Sequence, residues 1–176
     1  MIDHVLISGE AIASRLDSLA REIDAVYAGG EIRAIGVLKG SVFFLTDLLK
    51  RVKTPVTVDF LQVRSYAGTE SSGNIQLVHD LSMDVEDKDV VLFEDVVDTG
   101  RTLRRMLDLL SSRRPRSLRI AALLKKELPE NADIRVDFLG FTIGPEFVVG
   151  YGLDLDEKYR NLPCVAVWNP KKGATP

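Results

Sequence analysis

An unbroken apolar run passes directly into a cluster of acids and a glycine-containing turn between Val90 and Leu103, Val-Val-Leu-Phe-Glu-Asp-Val-Val-Asp-Thr-Gly-Arg-Thr-Leu. The first four residues, Val90 to Phe93, are continuously apolar, as in a buried strand. Leu103, Met106, Leu107 and Leu110 then recur at helical spacing, so a strand, a polar turn and a helix are predicted in succession. Thr99, Gly100, Arg101 and Thr102 bring backbone N–H groups and two hydroxyls to the start of that helix. The first helical turn leaves such donors unpaired and carries the positive end of the dipole, which together favour a phosphate. Gly100 lets the backbone approach a ligand closely.

This turn is not one of the common nucleotide loops. A Walker loop needs Gly-Lys followed by Ser or Thr, and a dinucleotide loop needs three spaced glycines; neither pattern is present. Three carboxylates, Glu94, Asp95 and Asp98, crowd the carboxyl end of the strand instead. An anion-binding turn beside three acids suits a ligand with phosphate at one end and hydroxyls or a bound metal at the other. A sugar phosphate fits that description.

Elsewhere, Ile12, Leu16, Leu19, Ile23 and Val26 mark an amphipathic helix ending near Gly29-Gly30. The pattern predicts a strand over 32–38, a helix over 41–52, a strand over 56–63 and a short strand over 75–78. Beyond Pro115, strands are predicted over 118–124, 134–138 and 165–168. The polar, glycine-containing run from Arg64 to Asn74 reads as a long loop. Strands alternating with helices imply an α/β fold, a mainly parallel central sheet flanked by helices, with its ligand crevice beyond the strand carboxyl ends. The weaker helix signals after Pro115 predict a small hood over that crevice. At 176 residues the expectation is a single domain, 1–176.

With 45% apolar and 28% charged residues the composition is that of a globular protein rather than a disordered one. A net charge of −3 disfavours broad nucleic-acid binding, and no run is apolar enough to span a membrane. Cys164 is the only cysteine, which excludes an internal disulfide and points to the cytoplasm. His4 and His79 lack metal-ligand spacing.

The segment Glu94-Asp95-Val96-Val97-Asp98-Thr99-Gly100-Arg101-Thr102 closely resembles the phosphoribosyl-pyrophosphate motif of type I phosphoribosyltransferases, in the form seen in hypoxanthine-guanine phosphoribosyltransferases. A second long segment, Gly140 to Asp154, is similar to the same family, and the resemblance extends from about Leu38 to Pro163. It implies the type I phosphoribosyltransferase fold and a Mg²⁺-dependent reaction of purine salvage. In that reaction the phosphoribosyl group of 5-phosphoribosyl pyrophosphate (PRPP) passes to N9 of hypoxanthine or guanine, giving IMP or GMP and pyrophosphate.

The resemblance further implies what individual residues do. Glu94 and Asp95 would address the ribose hydroxyls and magnesium, with Asp154 helping to hold the metal beside the purine. Thr99, Gly100, Arg101 and Thr102 would grip the 5′-phosphate, and Asp98 would accept the purine N7 proton. Lys39 and Gly40 lie in a loop of unusual peptide geometry that binds pyrophosphate, which Arg160 also contacts. Lys126 would donate to the purine O6, with Lys125 one residue out of phase as its competitor. Phe147 would stack on the base, and Val148 would offer backbone groups to its edge. Ser65 and Tyr66 would begin a flexible loop that closes over the reacting centre.

Three segments depart from the family's usual sequence: Ala67-Gly68-Thr69-Glu70, Gly144-Pro145 and Leu155. The family also implies a homodimer or homotetramer. The rival expectations are a xanthine- or guanine-preferring relative and a regulator that keeps the fold but binds nucleic acid. The second would need a basic face or an added reader domain.

Overall fold

The most continuous apolar runs take the middle of the molecule. In this computed structural model, which describes residues 1–65 and 75–170, strands β2 (Ile32–Val37) and β5 (Asp89–Val97) lie side by side at the centre of a six-stranded sheet. Adding β3 (Val56–Ser65), β4 (Ile75–His79), β6 (Ser117–Lys126) and β7 (Phe138–Ile143) gives the order β4-β3-β2-β5-β6-β7. All neighbours are parallel except β3 and β4, which are antiparallel at one edge. A parallel sheet needs cover on both faces, which explains why its central strands read as unbroken apolar runs.

Alternate residues of β5 serve different layers. Val91 and Phe93 join the core formed with α1 (Gly9–Val26) and α2 (Ser41–Leu49), whereas Val90 and Leu92 join the core under α3 (Arg101–Ser111). Burying each such side chain is worth about 1.5–3 kcal/mol, so the strand is held from both sides. Helix α1 is capped by Ser8, whose hydroxyl accepts from the Ala11 N–H at 3.2 Å. It buries Ile12, Leu16, Leu19 and Ile23 as expected, but Val26 faces solvent because Tyr27, one residue on, takes the inward position.

The remaining differences from expectation come from contacts between distant segments. Strand β1 (Ile2–Ile7), not anticipated, pairs antiparallel with β9 (Val165–Trp168), which pairs in turn with β8 (Val148–Val149). The hood is therefore built from both ends of the chain, while β6 and β7 belong to the main sheet rather than to the elaboration expected after Pro115. Of the strand expected over 134–138 only Phe138 is extended into the sheet, as the first residue of β7. Ile134 is instead buried under the turn at Gly100, and Asp137 bonds both ways with Ile120 at the entrance to β7. Helix α2 ends at Leu49, short of the predicted 52. Among the described residues no helix is long and apolar enough to cross a membrane. Tyr66 and most of the loop expected over 64–74 lie outside the described residues, although β3 runs on through Ser65.

Candidate active site

The carboxyl ends of the central strands carry the polar groups. Strand alternation sends Glu94 to the face of Val90 and Leu92, and Asp95 to the face of Val91 and Phe93. Glu94 is buried, and burial together with the neighbouring Asp95 holds its carboxyl well above the usual range. Asp95 is raised as well, chiefly by burial; its own bond from the Val96 N–H and the Arg160 guanidinium pull the other way, and Asp154 adds to the rise.

Asp95 lies directly against the loop after β2. A Cβ on Gly40 would fall 1.6 Å from Asp95 Oδ2, so only glycine fits with the carboxylate in this place. The Leu38–Lys39 peptide is cis, the unusual geometry expected of this loop. Buried Ser41 fastens the loop to its strand by donating to the Val37 carbonyl at 2.7 Å. The Gly40 carbonyl meets the hood at Gly152, where a Cβ would come within 2.1 Å of it. Gly152 has φ +100°, so both space and backbone require glycine there.

Asp98 to Thr102 form the turn into α3. Gly100 caps the helix at φ 77°, and the first helical bond runs from Arg104 N–H to Gly100 at 2.9 Å. The N–H groups of 101–103 therefore have no partner within the helix. The Arg104 guanidinium braces this turn, donating to the Thr99 carbonyl at 3.3 Å, the Glu130 carbonyl at 2.8 Å and the Asp133 carboxylate at 2.5 Å.

The two lysines at the end of β6 part company. Lys125 donates to the Ile134 carbonyl at 2.6 Å and so serves the fold. Lys126 turns into a cavity of about 200 Å³, where its Nζ stands 3.4 Å from Asp98 Oδ2. The hood supplies the facing wall with Phe147, Val148, Leu153 and Asp154. Phe147 is 48% exposed, a large apolar ring left open on this cavity. Its carbonyl accepts from the Trp168 N–H at 2.8 Å, which pins the ring's backbone to β9. Val148 is buried in the hood, paired with Val167.

Asp154 connects the cavity to a charged cluster. Arg160 Nη2 pairs with Asp154 at 2.8 Å and with Glu157 at 3.3 Å, while Nη1 donates to the Gly152 carbonyl at 2.7 Å. Among the described residues the buried Arg160 Nε has no hydrogen-bond partner. Lys39 reaches the same Glu157 oxygen at 3.0 Å. Lys39 and Arg160 thus converge on one carboxylate, which they hold below its ordinary pKa.

The residues singled out in the sequence fall into three adjoining groups: the phosphate-type turn, the cavity, and the Lys39–Arg160 cluster. Glu94 does not line the cavity with Asp95. Among the described residues no three acidic or histidine side chains come together closely enough to hold a metal unaided. Asp95 is pressed against Gly40 and Asp154 is engaged by Arg160, so Glu94, Asp95 and Asp154 do not form a closed cage. Two residues were missed by sequence reasoning, Glu157 and Asn131. Glu157 is placed by left-handed backbone at Asp156 (φ 51°) and Glu157 (φ 63°), which no sequence pattern signals. Asn131, at the end of the 3-10 turn Pro129–Asn131, donates to the Asp98 and Lys126 carbonyls.

A larger hollow of about 480 Å³ lies beside α1, lined by Asp17, Arg21, Asp24 and Arg51. Several of its charges are already engaged: Arg51 pairs with Asp17 at 2.8 Å, and Asp24 accepts from the backbone of Lys53 and Thr54. It is remote from the strand ends and makes a weaker candidate than the smaller cavity.

A parallel sheet with acids at a strand end, a glycine-capped phosphate turn and an aromatic hood defines the class of the type I phosphoribosyltransferases. Comparison with known proteins agrees: the phosphoribosyl transferase domain family matches residues 6–156. The hypoxanthine-guanine phosphoribosyltransferase of Staphylococcus aureus is 42% identical over 97% of this chain and 96% of its own length. The bifunctional protein TilS/HprT of Listeria monocytogenes is 44% identical over 97% of this chain, which spans only 26% of that protein. A crystal structure of a hypoxanthine phosphoribosyltransferase from S. aureus superposes with a TM-score of 0.92 at 41% identity, covering 99% of this chain and 95% of the other. One of a hypoxanthine-guanine phosphoribosyltransferase from Bacillus anthracis gives 0.92 at 38% identity, covering 96% and 100%. The chain belongs to the phosphoribosyltransferase family, on its hypoxanthine-guanine branch.

Proposed function

We propose that this chain transfers the 5-phosphoribosyl group of PRPP to N9 of hypoxanthine or guanine, forming IMP or GMP and pyrophosphate in purine salvage. The observation that carries this reading is the 3.4 Å pair of Lys126 Nζ and Asp98 Oδ2 beside the open ring of Phe147. A 6-oxopurine presents O6, an acceptor, and N7–H, a donor, on one edge, and this pair offers the complementary donor and acceptor. Adenine would set its 6-amino group against the lysine, donor against donor, leaving both unpaired.

In the proposed reaction N9 forms a bond to the anomeric carbon, the bond from that carbon to pyrophosphate breaks, and the N7 proton moves to Asp98. Proton transfer of this kind typically contributes about 10²–10⁴ in rate. The turn 99–102 would hold the 5′-phosphate. Lys39 and Arg160 would face the departing pyrophosphate, taking it in exchange for Glu157. The desolvated carboxyls at Glu94 and Asp95, with Asp154 nearby, fit Mg²⁺, a cation that takes one or two carboxylates and completes its shell with substrate oxygens and water. When bound, it would supply positive charge opposite the leaving group.

We further propose that the chain works as one domain, in the cytoplasm, and as a homodimer or homotetramer. The test is incubation with PRPP, Mg²⁺ and each of hypoxanthine, guanine, xanthine and adenine, followed by separation of the products. IMP and GMP are expected, with no AMP. Absence of both nucleotides overturns the reading, and a dominant XMP product would favour the xanthine-preferring relative.

A further inference from the structure

The hydrogen-bonded register of β5 with β6 ends at Val97 and Lys125. Asp98 and Lys126 lie one residue beyond it, so the sheet ladder does not itself set the distance between them. Asn131 does bridge them. Asn131 is 1% exposed, and its amide nitrogen donates to the Asp98 carbonyl at 2.5 Å and the Lys126 carbonyl at 2.9 Å. A carboxamide –NH₂ has two donors, and here each meets one of the two strand ends.

The bridge is itself anchored. The Asn131 N–H donates to the Leu128 carbonyl at 3.2 Å, and its own carbonyl accepts from Ile134 at 3.0 Å. On its other flank, Arg104 ties the Glu130 carbonyl and the Asp133 carboxylate to the turn at Thr99. The segment 129–133 is therefore strapped to both the phosphate-type turn and the lysine of the base cavity.

We propose that Asn131 is a positioning residue that fixes the separation of the Asp98 acceptor from the Lys126 donor, and so the fit of the cavity to one edge of a 6-oxopurine. This rests on the reaction proposed above. Alanine at 131 takes the Asn131 donor from both carbonyls and leaves the Lys126 carbonyl with only the Leu128 N–H at 3.1 Å; serine keeps one hydroxyl donor and can serve only one of the two carbonyls. In either case the two-donor link between the strand ends is lost, and Asp98 can shift relative to Lys126, which stays paired with Ile143 of β7.

The experiment measures kcat, KM for hypoxanthine, KM for PRPP and Tm for the unaltered protein, Asn131→Ala and Asn131→Ser, each with Asp98 intact and with Asp98→Asn. Displacements near 1 Å at a reacting centre cost on the order of 10² in rate, so Asn131→Ala is expected to lower kcat by about 10–100-fold. KM for hypoxanthine should rise, and KM for PRPP should stay within about twofold, because the phosphate turn keeps its Arg104 brace. In the Asp98→Asn background the further loss should shrink to less than about threefold, since the acceptor being aligned is already gone. Serine should recover part of the lost kcat.

A bridge that only stabilises the fold would lower kcat by the same factor in both backgrounds, and that result overturns the proposal. So does a folded Asn131→Ala with unaltered kcat. Should the alanine variant not fold, the serine variant carries the same comparison. The unaltered protein separates the two claims: if it forms IMP and the losses multiply, only the positioning proposal falls; if it forms no nucleotide, the reaction on which it rests falls as well.

Discussion

Replacing Gly40 by alanine probes the contact on which the site is closed. The backbone there has φ −61° and ψ −38°, which alanine adopts without strain. In open space the substitution would stabilise by about 0.4–1 kcal/mol, by narrowing the unfolded ensemble. The space is occupied: the new Cβ would lie 1.6 Å from Asp95 Oδ2, 2.6 Å from Cγ and 3.4 Å from Cβ. The carboxylate has to rotate away, at an overpacking cost of about 1–3 kcal/mol. Its bond from the Val96 N–H, 2.7 Å long, goes with it, at roughly 1 kcal/mol more.

Against the gain from the unfolded chain, the net expectation is a loss of about 1–3 kcal/mol, or about 2–4 °C in Tm for each kcal/mol. Asp95→Ala deletes Oδ2 and Cγ and leaves only the 3.4 Å contact, an ordinary van der Waals distance. In that background Gly40→Ala should cost nothing or stabilise slightly, a coupling of about 2–3 kcal/mol between the two positions. Urea midpoints of the four proteins measure it, and calorimetry should show weaker PRPP binding by Gly40→Ala alone. Stabilisation by Gly40→Ala with Asp95 intact, or an undiminished penalty in the Asp95→Ala background, would show that the Asp95 carboxylate does not hold this space.

Glu94→Gln should raise the stability of the ligand-free protein at pH 8 while reducing turnover. The buried carboxyl binds its proton more tightly in the fold than in the unfolded chain, so its contribution is full below the ordinary carboxyl range, about pH 4.3, and is lost as pH rises through the elevated folded value. The variant's advantage should therefore vanish near pH 4, and denaturation midpoints at the two pH values check this; equal offsets at both would count against it. Phe147→Ala should raise KM for hypoxanthine by about 5–150-fold, the equivalent of about 1–3 kcal/mol of stacking, with little change in Tm because the ring is half exposed. A KM within twofold of the unaltered protein would remove the ring from the base site. Lys126→Met should abolish the preference for 6-oxo over 6-amino bases, whereas Lys125→Met should cost about 1 kcal/mol of stability, through its bond to Ile134, and leave base selection intact. The reverse pattern in the base panel would exchange the two assignments.

The elements that local periodicity can encode were legible from the chain alone: the apolar run at Val90, the helical spacing after Leu103, and the inward face of α1. The turn between β5 and α3 was readable too, because its donors, its glycine and its acids are consecutive in sequence. The likeness to a known family then named the members of the site on other segments. Less was legible where burial depends on what a segment meets. Ile134 and Val136 looked like strand residues because they are apolar and β-branched, yet Ile134 packs beneath the phosphate turn, Val136 packs against the core under α3, and β7 forms only afterwards.

The chain order of apolar and polar residues, then, determined which segments become strands and helices and which turn carries the anion-binding donors, because each of these depends on neighbours within a few positions. Tertiary structure alone decided that β1 closes the hood against β9 across most of the chain, that Lys125 is spent on the Ile134 carbonyl, and that Glu157 and Asn131 belong to the site. Each of those outcomes depends on the distance and orientation between segments remote in sequence, and such distances are set only once both faces of the central sheet have been covered.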